Sequence, residues 1–192
     1  MADYPADLPI RAALTLYFAA NGFPADGGYS AEWVTGKFGP IPFAFPNVEA
    51  RVRAVRFHDL HHIVTGYETD GPGEGEISAW EIAIGCADFW AAWLLNLTGM
   101  AIGFLLAPGR VFRAFVRGRH SANLYRRGYD DALLDQPVGE IRAALLPAGA
   151  SPLPSTRDYL AFALWWTLGL LATLGPVVLL VAGFVALVHA LV

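Results

Sequence analysis

The chain has 192 residues, 55% of them hydrophobic and only 16% charged, with a formal net charge of -4. An ordinary soluble domain carries about 25% charged residues, so the apolar excess points to membrane association, and the small negative charge gives no general pull toward nucleic acid. The single cysteine, Cys86, excludes an internal disulfide and any cysteine-rich zinc site, and reads as a small packed residue.

The N-terminus, Met-Ala-Asp-Tyr-Pro-Ala-Asp, is acidic and lacks the basic-then-apolar order of a secretory signal, which places the N-terminal part in the cytoplasm. Leu8, Ile10, Leu14, Leu16, Tyr17 and Phe18 give an apolar face to a first helix over 8–21. Residues 22–47 are punctuated by Gly and Pro and predict an extended loop, with at most one short helix near Ser30 to Lys37. Asn47 has the side chain of an N-cap for a helix from Val48 to about Val64, and Gly66 is its stop. A turn over Thr65 to Gly73 leads into a long helix from Glu74 to Leu106, closed by Pro108 and Gly109.

Between 110 and 127 come Arg110, Arg113, Arg117, Arg119, Arg126 and Arg127 with no acid. Interleaved with Val111, Phe112, Phe115 and Val116, they suit a helix lying on anionic lipid, a site for an anionic headgroup or phosphate, or a solvated face. Ala132 to Leu146 is amphipathic, and Pro147 to Thr156 reads as a polar linker. From residue 160 onward the only ionisable side chain is His189. A helix over those residues would be about 50 Å long at about 1.5 Å per residue, against a bilayer core of about 30 Å. The sequence predicts either one tilted, overlong membrane helix or a hairpin broken at Gly175-Pro176, with Tyr159, Trp165 and Trp166 as an interfacial belt. The stretch 82–107 has the length of a second span, but Asp88 and the charge balance of its flanks favour a buried or half-immersed core helix.

The chemically specific feature is Phe-His-Asp-Leu-His-His-Ile-Val-Thr-Gly-Tyr-Glu-Thr-Asp-Gly-Pro-Gly-Glu, residues 57–74. It has the form H-D-x-x-H, eleven residues, E, carried by His58, Asp59, His62 and Glu74. At about 100° per residue, His62 lies about 40° and Asp59 about 100° from His58, so the three share one arc. His61 falls on the other side and is not expected to ligate. Glu74 returns across the turn containing Gly66, Gly71, Pro72 and Gly73. Asp59 either ligates or orients a ligand. Imidazole and carboxylate donors suit Zn2+, with Fe2+ or Mn2+ as alternatives. Glu74, Glu81 and Asp88 are spaced by seven, which on one helix would make an acidic line down an apolar surface. That line extends the metal site into a pocket, or else meets Arg53, Arg56 or the later arginines. Read as H-x-x-H-H, His58, His61 and His62 also match one box of membrane di-iron hydroxylases, but those need about eight His and this chain has five.

At H-D-L-H-H-I-V-T-G-Y-E-T-D-G-P-G-E the chain resembles the coenzyme Q biosynthesis protein four family, whose hallmark H-D-x-x-H-x11-E is matched by His58, Asp59, His62 and Glu74. Gly66, Tyr67, Thr69, Asp70, Gly73 and Glu74 match the surrounding signatures, and the resemblance covers about residues 30–147. It implies an all-α fold, a divalent metal taken as zinc, and a place in ubiquinone synthesis as organiser or in removing the carboxyl group of a prenylated aromatic precursor. The tail after residue 158 is an addition to the family pattern.

The organisation expected is an all-α helical metal- and lipid-binding domain over 1–147, a linker over 148–158 and a membrane helix or hairpin over 159–192. Glu81 and Asp88 are the candidate catalytic groups, moving a proton near the ring. The partners implied are a prenylated lipid, the membrane, other quinone-biosynthesis enzymes and a second copy of the chain. The location implied is a bacterial inner membrane with the metal domain on the cytoplasmic side. The competing reading is a non-catalytic lipid-binding scaffold with a structural metal.

Overall fold

The computed structural model describes residues 4–38, 41–149 and 153–191. Along the chain run α1 (Ile10–Ala20), β1 (Trp33–Phe38), β2 (Ile41–Pro46), α2 (Glu49–Thr65), α3 (Gly71–Ile84), α4 (Trp90–Leu106), α5 (Pro108–Gly118), α6 (Asp131–Leu134), α7 (Val138–Leu145) and α8 (Thr156–Leu191). The fold is therefore mostly helical, as expected of an all-α chain, with the addition of one two-stranded ribbon. Where a loop with a short helix near Ser30 to Lys37 was expected, Trp33–Phe38 and Ile41–Pro46 pair as antiparallel strands. The β-forming residues Trp33, Val34, Thr35, Phe43 and Phe45 prevail there over the prolines.

Two compact units form, each discontinuous in sequence: Met1–Thr69 with Cys86–Ala92 and Ser121–Gly149, and Asp70–Gly85 with Trp93–His120 and Ala150–Val192. In the first unit, α1 buries Ile10, Ala13, Leu14, Tyr17 and Phe18, the spacing of one helix face. The Ile10 N–H donates to the Gln136 carbonyl at 2.9 Å and the Val138 N–H to that of Leu8, tying α1's start to the start of α7. Asn47 does not cap α2. The cap position is Val48, and the Asn47 amide instead donates to the carbonyls of Gly28 and Ala31, binding the preceding loop. Gly66 does end α2, at φ 77°, with its N–H on the His62 carbonyl. The last carbonyls of α2 also receive the Arg142 guanidinium from α7, at 3.1 Å to Val64 and 3.3 Å to Ile63. Ala132 to Leu146 is two helices, because Pro137 starts α7 anew after the short α6.

In the second unit, α3 begins at Gly71, with the Asp70 carboxylate accepting from the Gly73 N–H at 2.7 Å. The long helix expected from Glu74 to Leu106 is broken. Gly85 adopts φ 96° and Ala87 φ 46°, and α4 starts only at Trp90. Asp88 therefore lies exposed in the turn, off the helical face of Glu74 and Glu81. Helix α5 buries Val111, Ala114, Phe115 and Val116, and its Arg110 pairs with Glu76 of α3 at 2.6 Å.

Helix α8 starts at Thr156, inside the stretch expected to be a linker; residues 150–152 of that linker lie outside the described ones. Its first turn is held by the Ser155 N–H and hydroxyl donating to Asp158, which also pairs with Arg119 at 2.7 Å. Of the two membrane arrangements left open by the sequence, α8 adopts the single helix, continuing through Pro176. It is long and apolar enough to cross a membrane.

Candidate metal centre

His58 and His62 lie one turn apart on α2, and their rings stand edge to face with centroids 4.8 Å apart. Their Nε2 atoms are 3.2 Å apart. The His62 Nδ1 lies 2.9 Å from the Tyr67 carbonyl, which the chain presents just after the Gly66 stop. A carbonyl only accepts, so the Nδ1 carries the hydrogen, which makes Nε2 the lone-pair nitrogen of the neutral ring. Tyr17 stacks on the other side of the ring, 5.8 Å between centroids.

The Glu74 carboxylate, in the first turn of α3, joins these two rings: one donor atom from each of His58, His62 and Glu74 lies within 4.8 Å of the others. Two nitrogens on one tetrahedral Zn2+ at about 2.05 Å would be about 3.3 Å apart, close to the separation found here. The donors fit a divalent cation in number and in kind, and this cluster could hold one. His62 is buried, and His58 and Glu74 are half-buried.

Asp59 is not one of the three. Its carboxylate accepts from the Tyr29 hydroxyl at 2.6 Å and from the Tyr17 hydroxyl at 3.4 Å. Burial, then the adjoining Asp59 charge, holds the Tyr29 phenol far above its ordinary pKa, so it stays a donor. Asp59 thus holds the hydroxyl of Tyr17, whose ring stacks on that of His62. Tyr17 and Tyr29 were missed because one lies on the ordinary apolar face of α1 and the other in a glycine-rich loop. Only the short distance from the Asp59 carboxylate reveals them.

His61 belongs to a different arrangement. Its Nε2 accepts from the Leu124 N–H at 2.9 Å, and its ring packs against Tyr125. Glu81 is fully buried on α3 and accepts from the Asn96 side chain of α4. Comparison of the chain with protein-family models, curated proteins and solved structures finds no match.

Proposed function

We propose that this is a membrane-attached, metal-dependent enzyme that removes the ring carboxylate of a prenylated aromatic acid in ubiquinone synthesis. The reading is carried by the paired imidazole nitrogens 3.2 Å apart with the Glu74 carboxylate close by. It is supported by the resemblance of residues 57–74 to the coenzyme Q biosynthesis protein four family. Three protein donors leave a tetrahedral ion one open position, the pattern of catalytic rather than closed structural sites.

His58, His62 and Glu74 would hold the ion, with zinc favoured and Fe2+ or Mn2+ as alternatives. When bound, it supplies a Lewis acid for a substrate oxygen. Tyr67 and Tyr17 fix the His62 ring through its Nδ1–H and its face. The carboxylate leaves as CO2 and a proton takes its place on the ring carbon, and Glu81 is the group assigned to move that proton. Asp88, exposed and off α3, carries no role in this scheme. Helix α8 suits a protein whose substrate has a lipid tail. The setting proposed is a bacterial inner membrane with the metal site on the cytoplasmic side, beside other enzymes of the same synthesis.

The test is H58A and H62A in cells lacking the native copy. Bound zinc is expected to fall from about one per chain to near zero, by removal of one of three ligands. Lipid extracts should then accumulate a prenylated ring acid, read by mass. Unchanged quinone levels in a metal-free variant would leave a scaffold role instead.

A further inference from the structure

From Trp93 onward, α4 belongs to the same unit as α8. It is covered on two sides. Toward α3 it presents Asn96, whose amide bonds Glu81, and Gly103, whose Cα would lie 2.5 Å from a Cβ on Gly75. Toward α8 it presents Leu97 and Ala101, which receive Gly169, with Trp93 packed on Trp165 and Phe104 on Phe162 and Trp166. The third side is open. At about 100° per residue, Leu94, Leu95, Thr98, Ile102, Leu105 and Leu106 fall within one arc of about 120°. Leu105 is 69% exposed and Leu106 55%, and Leu94 and Leu95 are exposed as well. No residue from 90 to 106 carries a charge. A contiguous apolar face of this kind marks a surface that meets something other than water.

The contacts along α8 identify it. Trp93 and Phe104 are eleven residues apart on α4, about 16 Å at about 1.5 Å per residue. Yet they meet α8 within one turn of each other, at Trp165 and Trp166, and Trp166 also donates to the Ala101 carbonyl at 3.4 Å. Helix α4 therefore lies across α8 rather than along it. Helix α5 meets α8 nearer its start, Phe112 on Tyr159 and Phe162, Arg119 on Asp158. The Gly118 end of α5 closes on the Trp80 backbone of α3, so α3 and α5 lie toward the start of α8. The open face of α4 is on the other side from α3, turned toward Leu170 and the apolar length that follows. With that length crossing a bilayer, Trp166 and Gly169 lie within about 6 Å of the hydrocarbon, inside an interfacial layer about 5–7 Å deep on each side. An uncharged face lying flat at that depth is what a helix resting in the headgroup boundary presents. The 17 residues of α4 reach about 26 Å, short of a second crossing.

We propose that α4 lies in the plane of the bilayer, with its Leu94 and Leu105 face seated between headgroups and acyl chains at the foot of α8. This rests on the reading of α8 as a membrane helix. The full chain in vesicles of phosphatidylcholine and phosphatidylglycerol, in a Cys86→Ala background, carries single nitroxides at Leu94→Cys and Leu105→Cys. Leu180→Cys on α8 is the reference for immersion and Thr156→Cys the reference for water. Both α4 labels should collide with oxygen in severalfold preference to a water-soluble nickel chelate, relative to the label at 156. Their depths should agree to within one helical turn, about 5 Å, rather than differ by about 16 Å. Preference for the chelate at 94 and 105, with oxygen preferred at 180, puts the face in water and overturns this proposal alone. Depths that differ by the larger amount stand α4 upright and overturn it too. Shielding from both probes, with spin–spin broadening, makes the occupant a second copy and also overturns it. Chelate preference at 180 defeats the α8 reading, and the seating of α4 falls with it. Should either α4 variant misfold, its neighbour, Leu95→Cys or Leu106→Cys, takes its place.

Discussion

In the first unit, polar side chains cross between elements: Arg142 to the carbonyls of Ile63 and Val64, the Leu124 N–H to His61, and two tyrosines to Asp59. In the second, backbones close on each other at glycines. A Cβ on Gly75 would lie 2.5 Å from the Gly103 Cα, one on Gly118 2.5 Å from the Trp80 carbonyl oxygen, and one on Gly169 2.5 Å from that of Leu97. Aromatic pairs fill the remaining gaps, Trp93 with Trp165 and Phe104 with Phe162 and Trp166. Close approach through small residues is how helices associate where water supplies no drive to bury apolar surface. Buried carboxylates are satisfied in both units, Asp59 by two tyrosines in the first and Glu81 by Asn96 in the second, so the difference lies in the close backbone approaches.

The largest effect that would test this contrast is at the glycines. G118V should destabilise the second unit by about 3 kcal/mol, by forcing side-chain volume against fixed backbone. Gly183, with no atom within 4 Å of its would-be Cβ, is the control and should tolerate alanine. Thermal unfolding in detergent reads both. If G118V and G183A behave alike, the backbone contact is not what holds α3 to α5.

Y29F comes next. It deletes a short hydrogen bond to a buried carboxylate, and should cost about 1–3 kcal/mol in denaturant titration. It should also leave the protein folded, since the ring still fills its place beside Phe18. A negligible change would mean that satisfaction of Asp59 does not matter to the first unit.

The smallest effect is at Asp26. Its pKa is lowered first by the Ser30 hydroxyl, then by the Ser30 and Gly28 N–H groups. A depressed folded value means that the turn's stability is present above the ordinary carboxylate pKa and lost as pH falls through the folded one. S30A should therefore lower stability slightly at neutral pH, with the difference from the parent chain vanishing as pH falls through the folded Asp26 value. A difference that persists unchanged in acid, below that value, would give Ser30 another role.

The histidine pair was legible because helical spacing alone brings His58 and His62 together, and Gly66 announced the stop that turns Glu74 back. Asp59 could not be assigned from sequence, since its angle on α2 suits either role and its tyrosine partners are 30 and 42 residues away. The break at Gly85–Ala87 was hidden because Ala87 is not a residue that advertises a positive φ, and apolar periodicity ran on through it. That miss carried Asp88 onto a face it does not share. The ribbon was hidden by its own prolines, which argue against strands except at edges, where these two sit. Asn47 has the chemistry of an N-cap, yet tertiary contacts with the loop at 28–31 claimed its side chain.

Helix α8 measures about 54 Å at about 1.5 Å per residue, far beyond the needs of one crossing. Its opening turns are committed elsewhere: Asp158 to Arg119, Phe162 to Phe104 and Phe112, Gly169 against Leu97. The remaining length, Leu170 to Leu191, reaches about 33 Å at the same rise, nearly the thickness of hydrocarbon that a single traverse requires. The surplus length is a stem, and a crossing by the remainder would need neither tilt nor a bend at Pro176.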